Sequence, residues 1–161
     1  MINTSNLSEA RKQIQKLIKE GKEVVVMAKD DNFNRKILEN KDVDMIVGLE
    51  TDRRDYLKQR DSGLNEVMCK LARDNSIKIG IDVSVLVSLG KLEKARSLAR
   101  VRQNIGLCKR IGCKMVLLGG LGRKAGTASG DAVGHNKQDV LSFFLSLKGS
   151  TKQAKVAFSF K

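Results

Sequence analysis

The segment KLEKARSLARVRQNIGLCKRIGCK, Lys91 to Lys114, sets eight cations (Lys91, Lys94, Arg96, Arg100, Arg102, Lys109, Arg110 and Lys114) against one anion, Glu93, for a local charge of +7. The whole chain carries +13, so more than half of the net charge falls in this one stretch. Charge of this sign and clustering points towards a polyanion: RNA, DNA or an anionic membrane surface. Leu98, Val101, Ile105 and Cys108 recur near one line of a 3.6-residue period and read as the buried face of a helix. On that wheel Arg96, Arg100 and Arg110 fall opposite, and Arg102 and Lys109 flank them beside Ala99 and Gly106. A single Glu93 cannot neutralise such a stripe by ion pairs one turn apart. The stripe is therefore expected to face solvent and to hold RNA phosphate; an ordinary solvated face is the competing reading.

Other chemistry is thin. The single histidine, His135, lies in a Gly-rich run, and no H-x-H or H-E-x-x-H spacing supplies a metal site. The run Gly119–Gly134 contains Arg123 and Lys124 but not G-x-x-x-x-G-K-[ST]. It is read mainly as a loop that orders on RNA, with a phosphate-binding α/β module as an alternative. Asp30, Asp31, Glu50, Asp52 and Asp82 all fall at or near C-terminal strand ends. That leaves a stand-alone metal-dependent phosphoesterase as a further alternative. Cys69, Cys108 and Cys113 show no C-x-x-C spacing and read as small core hydrophobes of a reducing, cytoplasmic compartment. Only five Phe, one Tyr and no Trp are present, so backbone and shape recognition of RNA suits the chain better than base stacking.

The elements that must position these groups alternate. A helix over about Glu9–Glu20, capped by Ser8 and stopped by Gly21, precedes the β-branched run Glu23–Ala28. A short helix in NFNRKILEN leads to a second strand, Asp44–Glu50. After the charged loop TDRRDYLKQRDSG, Asp61 or Ser62 caps a helix striped by Leu64, Val67, Met68 and Leu71. Ile77–Val83 is the third strand, the basic helix follows, and CKMVLLGG is the fourth. KQDVLSFFLSL reads as another helix, and STKQAKVAFSF as a short helix or a strand. With 161 residues, 41% hydrophobic and 30% charged, the chain reads as a single α/β domain, 1–161, with parallel strands and helical crossovers. An open doubly wound sheet and a barrel-like arrangement both fit. No apolar run is long enough to span a bilayer and no secretory leader is evident, so no membrane partner is expected.

Three stretches together resemble the archaeal ribonuclease P protein component 3 family, the counterpart of the thirty-kilodalton eukaryotic subunit. DDNFNRKILENKDVDMIVG supplies Asn34, Arg35, Val43 and Asp44. RDSGLNEVMCKLARDNSIKIGIDVS supplies Gly63, Leu64, Asn65, Leu71 and Ala72. The basic helix and IGCKMVLLGG supply Arg100, Arg102 and Asn104. The resemblance covers about residues 23–120. It implies a TIM-barrel-like (PHP-related) α/β fold related to metal-dependent phosphoesterases but lacking their histidines. Family members usually begin with additional strands, whereas here one helix precedes EVVVMA, so the barrel is expected to be N-terminally shortened and incomplete or open. The resemblance also implies a non-catalytic subunit that binds no cofactor of its own. The ribonuclease P RNA would use Mg2+ to remove the 5′ leader of precursor tRNA. A small ferredoxin-like protein subunit would be the protein partner. The expected RNA contacts are Arg96, Arg100, Arg102, Lys109, Arg110 and Lys114. Arg35, Arg53, Arg54, Lys58 and Arg60 are secondary contacts, and Arg123 and Lys124 lie in the Gly-rich run.

Overall fold

Four parallel strands lie side by side in the order in which the chain makes them, β1-β2-β3-β4. The computed structural model describes residues 1–57, 59–118 and 137–150. Along the chain run α1 (Leu7–Lys19), β1 (Val25–Met27), α2 (Asp31–Leu38), β2 (Met45–Val47), α3 (Glu66–Asp74) and β3 (Lys78–Asp82). Then come α4 (Val83–Ser88), α5 (Lys91–Ile111), β4 (Met115–Leu118) and α6 (Lys137–Ser146). The Gly-rich run, and STKQAKVAFSF beyond Ser150, fall outside the described residues.

Consecutive order separates the two arrangements that periodicity left open. A doubly wound sheet reverses its strand order at a switch point; this one never does. The helices all contribute to a core on one face of the sheet, as in a barrel wall. Ile14, Ile37, Leu38, Met68, Val101 and Ile105 of the helices accordingly share one core with Val26, Ile46, Ile79, Ile81 and Met115 of the strands. The opposite face carries Met45, Val47 and Val116, with Val25, Met27 and Leu118 beside them. Gly80 lies in this second face, where a Cβ would collide with the side chains of Val47 and Met45. Its neighbours Ile79 and Ile81 point the other way, as strand alternation requires. Ile2 adds a single parallel bridge to Val26, with Ile2 N–H donating to Val25 O at 2.7 Å and Met27 N–H to Ile2 O at 2.8 Å. The α1 helix thus crosses over between two parallel segments of the same sheet.

The caps differ from the expected ones. Asn6, not Ser8, opens α1, accepting from Ser8 N–H and Glu9 N–H. Asn65, not Asp61 or Ser62, opens α3 by accepting from Met68 N–H at 2.9 Å. Leu64 and Met68 of the expected stripe are buried, but starting α3 there turns Val67 out to 54% exposure and adds Cys69 and Ala72 to the buried face. The α4 helix was not expected at all, because VSVLVS is β-branched and short. Asp82 makes it by accepting from Ser84 N–H and Val85 N–H, while Val83 and Leu86 bury themselves one turn apart. Local capping and burial outweigh β-propensity here. All three cysteines are free and buried, as core hydrophobes would be.

Candidate nucleic-acid interface

Arg100 corrects the expected orientation of α5. Its residue is only 3% exposed, and its guanidinium points into the protein. Nε donates to Asp55 Oδ1 at 3.1 Å, Nη1 to Glu50 O at 3.2 Å and Nη2 to Arg53 O at 2.8 Å. The Arg100 hydrogen bond holds the Asp55 carboxyl below its ordinary range. One turn on, buried Asn104 donates Nδ2–H to Ser62 O at 3.0 Å. The buried face of α5 therefore includes Ser97, Arg100 and Asn104 alongside Val101, Ile105 and Cys108, while Leu98 is only half-buried. A polar line at 97, 100 and 104 therefore runs along that face beside the apolar one: Arg100 is fully engaged, whereas the buried Asn104 uses only its Nδ2–H and its Oδ1 has no partner among the described residues.

These bonds fasten the loop between β2 and α3. Arg53, a second expected RNA contact, is likewise consumed: its side chain is 9% exposed and pairs with Asp31 and, at 3.6 Å, with Asp61. It also donates to Leu49 O at 3.2 Å and Lys29 O at 3.0 Å. Asp55 Oδ1 further accepts from Asp61 N–H at 3.0 Å, and Asp61 Oδ1 from Gly63 N–H at 2.9 Å. Gly63 has φ +69° and lies so close to Leu49 that a Cβ would overlap the Leu49 carbonyl oxygen. Only glycine fits there, for both reasons.

The remaining cations divide by partner. Arg96 pairs with Glu93 at 2.9 Å, Arg110 with Glu66 at 3.2 Å and Arg35 with Glu39 at 3.2 Å, all at exposed positions. Such surface pairs are worth little and can be exchanged for phosphate. Arg54, Arg60, Arg102, Lys109 and Lys114 are exposed and make no ion pair among the described residues. Arg60 and Arg102 stand on an open groove of about 560 Å³, with Leu98, Ala99, Gln103 and Leu147 completing its walls. Lys58, Arg123 and Lys124 lie outside the described residues.

The carboxylates expected to be able to gather a metal ion are occupied separately. Asp30 caps α2 through Phe33 N–H, Asp31 pairs with Arg53, and Asp82 caps α4. Among the described residues no three His, Cys, Asp or Glu side chains group around a possible ion site. Glu50 is buried at the end of the sheet, and burial, followed by the charge of Asp82, pushes its carboxyl up to about 7. The folded state therefore holds a proton that the unfolded state has already released between roughly pH 4.5 and 7. Stability from this group falls as pH rises through that window, by up to about 3 kcal/mol. Glu50→Gln is accordingly expected to raise the thermal midpoint at pH 8 and to leave it nearly unchanged at pH 4.5. Equal shifts at both values would show that Glu50 does not titrate this way.

The sequence also has relatives. It is 29% identical over 118 residues to ribonuclease P protein component 3 of Methanococcus vannielii, covering 71% of this chain and 48% of that protein. The chain is homologous to ribonuclease P protein component 3. The Methanothermobacter thermautotrophicus component 3 matches at 24% identity over 117 residues, 73% of this chain and 45% of the relative. The chain thus spans about half the length of the component 3 proteins it matches. No family model matches it. Among solved structures, a chain of the cryo-EM structure of archaeal ribonuclease P with mature tRNA superposes with a TM-score of 0.72 at 22% identity, covering 95% of this chain and 61% of that one. The likeness supports the expected open, TIM-barrel-like α/β fold.

Proposed function

We propose that this chain is a non-catalytic, RNA-binding subunit of ribonuclease P. In this reading Arg54, Arg60, Arg102, Lys109 and Lys114 neutralise backbone phosphates where RNA helices pack closely. Arg96, Arg110 and Arg35 join them by exchanging carboxylate for phosphate. The RNA performs the Mg2+-dependent cleavage of the 5′ leader from precursor tRNA, and the protein lowers the Mg2+ concentration at which it does so. A small ferredoxin-like subunit is the protein partner in this scheme, and the cytoplasm is the compartment. The observation that carries the reading is the likeness to component 3 proteins along most of this chain, joined to the exposure of Arg54, Arg60, Arg102, Lys109 and Lys114, none of which makes an ion pair among the described residues.

Reconstitution tests it. The ribonuclease P RNA and the other protein subunits are combined with and without this chain, and precursor-tRNA cleavage is followed across a Mg2+ titration. Addition is expected to shift the titration to lower Mg2+. Turnover by the pure protein alone would favour the phosphoesterase alternative, and no effect at any Mg2+ concentration would count against the assignment.

A further inference from the structure

The loop fastened by Arg100 ends in a tight turn whose tip faces outward. Tyr56 N–H donates to Gln59 O at 2.8 Å, and Gln59 N–H to Tyr56 O at 3.3 Å, closing an isolated antiparallel bridge. At this tip Tyr56 is 71% exposed and Leu57 fully exposed, above every other large apolar side chain described. Tyr56 is also the only tyrosine in a chain without tryptophan. Exposed apolar residues scattered singly call for no explanation. An aromatic and a leucine side by side on a turn whose base is hydrogen-bonded to α5 are a different matter. Arg100 and Asn104 fix the loop at Arg53, Asp55 and Ser62, so part of the ordering cost of presenting the tip is met before any partner arrives.

The charges around the tip select the partner. The loop's Asp55 and Asp61 are drawn inward, onto Arg100, Arg53 and backbone N–H groups. Asp52, at the loop's start, is exposed. Arg54 and Arg60 flank the tip, exposed and without an ion pair among the described residues. An open aromatic face between unpaired guanidinium groups matches a base between two phosphates. From this arrangement we infer that Tyr56 stacks on an unpaired or helix-terminal base of RNA, with Arg54 and Arg60 on the neighbouring phosphates. The inference rests on the RNA-binding reading above and adds to it a contact that reads a base instead of the backbone.

Tyrosine emission reports this site alone, because Tyr56 has no aromatic competitor of its kind. The intact protein is titrated with the ribonuclease P RNA, and in parallel with heparin, a polyanion without bases. Filter binding records affinity while fluorescence, corrected for absorbance, records Tyr56. Strong quenching by RNA and none by heparin is the expected result. Tyr56→Ala should weaken RNA binding about tenfold, with an unchanged salt slope, and Tyr56→Phe should restore most of it. RNA binding without quenching, and with Tyr56→Ala at wild-type affinity, would overturn the stacking inference and leave the RNA-binding reading intact. If Tyr56→Ala instead weakens capture of the ferredoxin-like subunit only, the tip is a protein-docking point and the inference is wrong. Absence of salt-dependent RNA binding by the wild-type chain would overturn both. Circular dichroism of each variant confirms the fold, which an exposed tip substitution should not disturb.

Discussion

Arg100→Met is expected to lower the unfolding free energy by about 2–4 kcal/mol, through the loss of three charge-assisted bonds and the stranding of their acceptors. The Glu50 and Arg53 carbonyls would lose their donor inside the protein, and Asp55 its counter-ion. Asp55 keeps partial access to water, which holds the penalty to the lower end of the range for broken buried pairs, or just below it. Arg100→Lys should recover little, because one ammonium cannot span acceptors placed for a planar fork. Urea denaturation checks both variants; a midpoint for Arg100→Met indistinguishable from wild type would show that the clamp contributes nothing. The same position under the expected outward orientation would have affected RNA affinity and left stability alone.

The opposite profile is expected for Arg60→Ala/Arg102→Ala/Lys109→Ala. All three side chains are exposed and unpaired among the described residues, so their loss should change stability by less than about 0.5 kcal/mol. RNA affinity should fall by about 10²–10³-fold near 0.1 M salt, because three fewer phosphates are neutralised and about three fewer units of counterion slope remain. The loss should fade as salt is raised. A loss of affinity independent of salt would mean that these residues act through shape and not through charge. Measured together, the two variants separate the cation that builds the interface from those that occupy it.

The architecture was largely readable from sequence because buried parallel strands are short, β-branched and bounded by polar turns. EVVVMA, DMIVGLE, IKIGIDV and CKMVLLGG each contain the strand they suggested, trimmed at the ends. The direction of Arg100 was not readable from its own helix. Apolar spacing defined a face through Leu98, and charge was then assigned to the other side by default. The missing information lay far along the chain, in Asp55 and in two carbonyls that can be known only once the loop is folded. Much of the family likeness has the same basis. Asn34 binds both backbone groups of Lys29, Asp44 accepts from Val24 N–H, Asn65 caps α3, Gly63 fits beneath Leu49, and Asn104 holds Ser62. These residues carry the resemblance by fixing loops, and the surface cations act on the platform they make.

Neutralisation of RNA phosphate by the outward cations of α5 and the adjoining loop is tested most directly by the salt dependence of wild-type binding to the ribonuclease P RNA. Arg54, Arg60, Arg102, Lys109 and Lys114 alone predict a log–log slope near roughly −4 to −5, and Arg96, Arg110 and Arg35 steepen it towards about −7 as they exchange onto phosphate. A slope close to zero would mean that these side chains face no phosphate in the complex, and would contradict the account.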